Sequence, residues 1–208
     1  MDKTAVAACE AEIRTFLAER LAAMGPEEGG LANFYLRKLE TGRIFSRYDR
    51  ELLVLLQGEG RVVHAGIGIG QLSAALALQG SEVLGFEGDP RRHAAAEALR
   101  LRVAPEARYT ICPARFPEGL DPAYEPAGAT LLFTNVAATW PEETYDAMIA
   151  LMHRFSRTIL DLARFGDARQ DPDDQAELAG RIAGTGLVLT PLNFVAEKTA
   201  FMEVRRAG

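Results

Sequence analysis

The sequence predicts an α/β fold: a doubly wound, mostly parallel seven-stranded sheet that ends in an antiparallel β-hairpin and carries an N-terminal helical cap. Three observations predict it. From residue 61 onward, short apolar runs alternate with helical segments, the pattern of parallel strands joined by helices. A glycine turn, Gly66-Ile67-Gly68-Ile69-Gly70, directly follows the first of those runs. The last two strand candidates, 187–192 and 200–205, leave no room for a helix between them, so they must form a hairpin with one strand antiparallel to the rest.

The elements follow in order. Residues 4–24 read as a helix, because Val6, Cys9, Ile13, Phe16, Leu17 and Leu21 recur at spacings of three and four. Gly25-Pro26 ends it and Gly29-Gly30 marks a loop. A second helical stretch has Leu31, Phe34, Tyr35 and Leu39 on one side, and Thr41-Gly42 interrupts it. A third spans 44–56, with Ser46 or Asp49 near its start. Residues 1–51 are therefore expected to form the cap, and 52–208 one compact sheet unit.

In that unit the first strand is 61–65, and its helix, 71–79, is stopped by Gly80. The second strand is 82–86. Asp89 suits the N-cap and Pro90 the first position of the next helix. Strands 108–112 and 129–134 follow, the latter apolar enough for burial on both faces. A helix over 141–155 and a strand over 158–162 come next. Asp171-Pro172 repeats the cap-plus-proline start of a helix that stops near Gly184 or Gly186. In such sheets ligands bind at the carboxyl ends of the strands.

Composition narrows the function. At 208 residues the chain is long enough for one domain with a substantial core. A net charge of −6 weighs against broad affinity for nucleic acid or anionic membrane, although Arg37, Lys38, Arg43, Arg47 and Arg50 cluster in the N-terminal third. Cys9 and Cys112 have no metal or disulfide spacing, so no metal site is expected. No apolar run approaches the roughly 20 residues of a membrane span, and the acidic first helix is not a signal peptide. The expectation is a cytoplasmic protein with a small-molecule partner, no nucleic acid and no membrane; a homodimer is left open.

The glycine turn carries the chemistry. Gly66 permits the tight turn, and Gly68 lets a ligand lie against bare backbone. The free N–H groups of the following helix favour a carboxylate or phosphate. Alone, the turn is weak evidence, since a tight βα connection with no ligand also explains it. Glu87 strengthens it: 21 residues after Gly66, at the end of the second strand, an acid can accept hydrogen bonds from both hydroxyls of a ribose. The dinucleotide pattern G-x-G-x-x-G would need a glycine where Gln71 stands, and no Gly-Lys-Ser/Thr follows for a phosphate loop.

Residues 61–90, RVVHAGIGIGQLSAALALQGSEVLGFEGDP, resemble the first motif and second strand of class I S-adenosylmethionine-dependent methyltransferases, and the closing helix-strand-strand order of 171–205 resembles that family's last strands. The resemblance spans roughly residues 52–206 and implies a Rossmann-like fold with S-adenosylmethionine as cofactor. It implies that Gly66, Gly68 and Gly70 pass beneath the methionine and ribose, that Glu87 binds the ribose hydroxyls, and that Gly88 lets the adenine lie close. Ala114, after the third strand, would offer backbone groups to the adenine. Thr134, Asn135 and Val136 would face the methyl-transfer centre. The sequence departs from the family at three places. His64 stands where many members have an acid, Cys112-Pro113-Ala114-Arg115 offers no carboxylate, and the fourth strand begins Ala129-Thr130.

His64 is the one candidate base; its alternative is a half-buried structural histidine. His93 and His153 read as helix-surface residues. Tyr35 and Tyr48 in the cap, and Trp140 after the fourth strand, are candidate substrate contacts, with ordinary packing as the alternative. No G-x-S-x-G turn or Cys-His pairing is present. The resulting expectation is methyl transfer to an oxygen or nitrogen, with carbon as a further option, of a small molecule. The alternatives are an NAD(P)-dependent oxidoreductase, which Gln71 weighs against, and a non-catalytic S-adenosylmethionine-binding protein of the same fold.

Overall fold

A computed structural model of the chain describes residues 3–25, 29–134, 136–137, 140–166, 171–194 and 200–207. Three helices come first: α1 (Lys3–Ala22), α2 (Gly29–Thr41) and α3 (Arg47–Leu55). Alternation then begins with β1 (Arg61–Ala65), α4 (Gln71–Leu78), β2 (Glu82–Phe86), α5 (Pro90–Val103), β3 (Tyr109–Cys112) and β4 (Ala129–Phe133). It continues through β5 (Val136–Ala137), α6 (Glu142–Met152), β6 (Arg157–Asp161), β7 (Phe165–Gly166), α7 (Pro172–Ala183), β8 (Leu187–Pro191) and β9 (Phe201–Arg206).

Seven strands form one sheet in the order β3-β2-β1-β4-β6-β9-β8. The first five of these are mutually parallel, while β9 runs antiparallel to both β6 and β8. Strand order reverses between β1 and β4, which opens a crevice at their carboxyl ends. The expected doubly wound sheet with its terminal hairpin is present.

Period-two alternation divides the core between the two faces of the sheet. Val62 packs with the cap and with α4 and α5, in a cluster that includes Ile13, Leu17, Leu52, Leu76 and Leu99. Val63 packs on the other face with Leu131, Phe133, Met148, Phe155 and Ile182. The cap thus shares one continuous core with the sheet. All five residues of β4 are buried, as its unbroken apolar run predicts.

Local signals explain the helix starts. Asp89 accepts from the amides of Arg91 and Arg92 at 2.9 and 3.0 Å, with Pro90 at the first position; at α7 Asp171 accepts from Asp173 N at 2.8 Å, ahead of Pro172. Ser46 and Asp49 form a capping box at α3: the Ser46 hydroxyl accepts from Asp49 N, and the Asp49 carboxylate accepts from Ser46 N. Two expectations are corrected. Gly29-Gly30 begins α2 rather than a loop, in space where a side chain at either position would meet nothing. The third helix starts at Arg47, because Ile44 and Phe45 are buried in the connection ahead of the capping box. The parallel pair β5–β7, two residues each, is too short to carry a period.

Below the sheet, at the amino ends of the parallel strands, Arg157 joins four segments. Its guanidinium reaches Glu59 at 2.7 Å, ahead of β1, and Glu203 of β9 at 2.7 and 3.1 Å. Glu59 also accepts from the Thr130 hydroxyl of β4 at 2.9 Å. Arg157→Met leaves Glu59 without its cation and Glu203 with Arg205 alone. Breaking a buried pair costs about 3–5 kcal/mol; partial exposure of both glutamates lowers the expected loss to about 2 kcal/mol. Urea titration should show a lower midpoint with an unchanged slope, and an equal midpoint would refute the network's contribution.

Candidate functional site

The glycine turn lies at the carboxyl end of β1, beside the point where strand order reverses. Gly66, Gly68 and Gly70 have φ of 69, 60 and 78°, values that side chains rarely adopt. At Gly70 the constraint is doubled, since a Cβ would stand 2.6 Å from the Tyr109 hydroxyl. At Gly68 a Cβ would meet nothing, so bare backbone faces open space.

That space is a cavity of about 440 Å³, within the range of small-molecule sites. Gly66, Ile67, Gly68 and Ile69 form its floor, with Gln71 and Leu72 from the start of α4 and Glu87 from the end of β2. Thr134 and Val136 line it from the segment after β4. The cap covers it with Leu31, Phe34, Arg37, Lys38, Tyr48 and Asp49.

Glu87 is buried at 8% exposure. Its carboxylate accepts from Gly68 N and from Asp89 N, each at 2.9 Å. Register explains the reach: Ala65 pairs with Phe86, so the residue after β2 stands level with the turn after β1. A carboxylate has about four acceptor sites, so two remain for ligand hydroxyls.

His64 also lines the cavity, but as a bridge. Its Nδ1 lies 2.8 Å from Ser73 Oγ in α4, and its Nε2 lies 3.1 Å from Thr134 Oγ1. Burial pushes its pKa from 6.5 down to about 3. The ring is therefore neutral, with both nitrogens engaged.

The cap side is charged. Burial lowers the Lys38 pKa, against the pull of the Asp49 carboxylate, and raises that of Asp49, against the pull of Lys38. Lys38 Nζ donates to Ile44 O at 2.8 Å. Gln71 Nε2 donates to the same carbonyl, also at 2.8 Å. Burial pushes the Tyr48 phenol up to about 12, and its ring lies 5.5 Å from that of Phe201.

Of the expected site residues, Gly66, Gly68, Glu87, His64 and Tyr48 meet at this cavity, and Gly70 ends the turn beneath it. Gly88 and Ala114 stand past the ends of β2 and β3, outside the cavity's described lining; a Cβ at Gly88 would meet Arg115 Cγ at 2.5 Å. Asn135 lies outside the described residues. Tyr35 is fully buried in the cap core, and Trp140 packs edge-on to Tyr145 and Phe165; neither is among the described lining. Sequence reasoning misses Lys38, Asp49 and Gln71 as site residues, because the sequence shows them only as part of a basic cluster, a helix start and a missing glycine. Among the described residues no group of three or more His, Cys, Asp or Glu side chains is gathered for a metal, and no helix is long and apolar enough to cross a membrane.

No protein-family model matches the sequence, and no curated protein matches it. Solved structures match the fold. A TehB-like S-adenosylmethionine-dependent methyltransferase from Corynebacterium glutamicum superposes with a TM-score of 0.60 at 20% identity, over 88% of this chain and 98% of that one. A magnesium protoporphyrin IX methyltransferase from Synechocystis, solved with bound S-adenosylmethionine, gives 0.56 at 18% identity over 77% and 80%. An rRNA methylase from Streptococcus thermophilus gives 0.53 at 18% identity over 79% and 99%. At these identities the likeness is one of architecture: the chain has the Rossmann-like fold of class I S-adenosylmethionine-dependent methyltransferases.

The neutral ring of His64 has a consequence for stability. Between pH 6.5 and about 3 the unfolded chain binds a proton at this residue that the folded chain does not. Stability contributed here is complete above the first value and falls as pH falls through that window. His64→Gln should flatten the dependence by up to one proton, read as melting temperature from about pH 7 to about pH 4.5. Equal slopes in the two proteins would show that the ring titrates normally within the fold.

Proposed function

We propose that this chain is an S-adenosylmethionine-dependent methyltransferase acting on an oxygen or nitrogen of a small molecule. The observation that carries the proposal is the buried Glu87 carboxylate, fixed by Gly68 N and Asp89 N at the rim of the cavity above the glycine turn. It is placed to accept the two hydroxyls of a ribose, and the open backbone at Gly68 leaves room for the rest of a nucleoside. The residues present fit the cofactor that the fold implies.

The cap favours a small acceptor, since α2 and α3 cover the cavity that the sheet leaves open. Proteins of this fold include several rRNA and RNA methylases, but the net charge of −6 gives this chain little attraction for a polyanion. Gln71 is engaged with the cap at the position where a dinucleotide fold needs its third glycine, which disfavours a nicotinamide cofactor.

When bound, S-adenosylmethionine supplies a methyl group activated by its sulfonium. The chain's own part is placement and exclusion of water. Leu31, Phe34 and Tyr48 wall the cavity, and Thr134 and Val136 line it beyond β4. Holding an acceptor in line with the methyl can supply much of the rate. A base is required only where the acceptor must lose a proton as it attacks. In this reading His64, neutral and twice bonded, is a positioning residue for the Thr134 hydroxyl rather than a base.

Calorimetric titration with S-adenosylmethionine and S-adenosylhomocysteine tests the proposal. Both should bind the wild type, and Glu87→Ala should weaken each by about 10- to 100-fold, the loss expected for hydrogen bonds to a charged group. No heat with either ligand at high protein concentration would overturn the proposal. Equal affinity in the variant would overturn the role of Glu87.

A further inference from the structure

The cavity has two ends of different chemistry. Glu87 marks one. At the other, a cation, an anion and a neutral amide stand in one wall: Lys38 and Asp49 from the cap and Gln71 from the start of α4. Ile44 O fixes the group, since it receives both Lys38 Nζ and Gln71 Nε2 at 2.8 Å. Asp49 is only 5% exposed and is held by its bond from Ser46 N at 2.7 Å.

Gln71 supplies an independent sign of a missing partner. Its Nε2 must face Ile44 O, which turns Oε1 the other way. That oxygen is buried and has no hydrogen-bond donor among the described residues, on a side chain that lines the cavity. A buried acceptor left unmade is costly, so a ligand N–H fits there. Behind it, the N-terminus of α4 carries no side-chain cap, which leaves its first-turn amides for an anion.

Strand β1 offers no carboxylate to this wall. His64 occupies the strand position from which an acid would point at this end, and it is neutral and twice bonded. The carboxylate of this wall comes from the cap.

We propose that Asp49, Gln71 and Lys38, with the α4 N-terminus, form a zwitterion site that holds the α-ammonium and α-carboxylate of the cofactor's amino-acid end. This inference rests on the S-adenosylmethionine reading above. Asp49 and Gln71 Oε1 accept from the ammonium; Lys38 and the α4 amides receive the carboxylate. The site also selects: a dinucleotide's pyrophosphate would bring negative charge against Asp49, whereas an amino acid brings one charge of each sign.

The test uses four ligands, titrated by calorimetry into the full chain and compared in pairs of equal sulfur charge: S-adenosylhomocysteine with 5′-methylthioadenosine, and S-adenosylmethionine with its decarboxylated form. S-adenosylhomocysteine and S-adenosylmethionine carry both charges, decarboxylated S-adenosylmethionine keeps only the ammonium, and 5′-methylthioadenosine has neither. Asp49→Asn, which keeps an acceptor for Ser46 N, should weaken the first three by at least about 10-fold and leave 5′-methylthioadenosine within about 2-fold. Lys38→Gln should weaken the first two by about 10-fold and leave both ligands lacking the carboxylate within about 2-fold. Should Asp49→Asn fail to fold, the Lys38 series alone decides. Equal losses for 5′-methylthioadenosine and S-adenosylhomocysteine, or no loss for either, would overturn the zwitterion site while leaving the cofactor reading intact. A wild type that binds none of the four overturns both.

Discussion

The upper face of the sheet depends on the carboxylate of Glu87. An acid this deeply buried is tolerated only when its oxygens are bonded, and here the donors are Gly68 N and Asp89 N. One belongs to the turn after β1 and the other to the start of α5. The single side chain therefore ties the conformation of the glycine turn to the helix that follows the next strand. It reaches both because Ala65 and Phe86 are paired in register. The turn in turn needs three residues of positive φ, which is why glycines recur at 66, 68 and 70. A pocket floor of bare backbone follows from those two requirements, before any ligand is considered.

The opposite edge of the sheet has a different character. There Arg157, Glu59, Glu203 and Thr130 join the amino ends of β4 and β6, and the antiparallel β9, to the chain entering β1. Nothing in that network reaches the cavity. The cap is bound to the site side instead. Apolar packing attaches it to α4 and α5, and two amide side chains fix it along α4: Gln71 to Ile44 O at one end and Gln79 to Leu53 O, at 3.1 Å, at the other. Helix α4 is thus the common support of the glycine turn and of the cap that covers it, so their relative position is set by one rigid element.

Most of this architecture is legible in the sequence, because the signals are local. Cap residues Asp89 and Asp171, each before a proline, mark two helix starts, and the apolar run of β4 marks a strand buried on both faces. The paired strands at the end have no room for a crossover. The cavity's cap-side wall is not legible in the same way. Asp49 has a sufficient local reason to exist as the partner of Ser46 in a capping box, and Lys38 as one of several cations in a basic stretch. Only the fold brings them against the start of α4. Tyr35 shows the converse: an aromatic in the right segment that points into the cap core. A side chain's direction on α2 depends on packing with α1, which local spacing does not fix.

The histidine at position 64 gives these facts a single electrostatic logic. An acid there would share the cavity with Asp49, and two carboxylates in one desolvated space raise each other's pKa until one is protonated. A neutral imidazole removes that conflict. It also frees Ser73 and Thr134 from serving a charge, and the ring binds both instead. The counter-charge for a cationic ligand then comes from a helix of the cap rather than from a strand of the sheet. A sheet-borne acid would bind such a ligand whether or not the cap was in place. A cap-borne acid binds it only while the cap is packed on α4, so ligand binding stabilises that packing by linkage. The neutral His64 on β1 and the charged wall on α2 and α3 are in this sense one feature: recognition carried by the element that also covers the cavity.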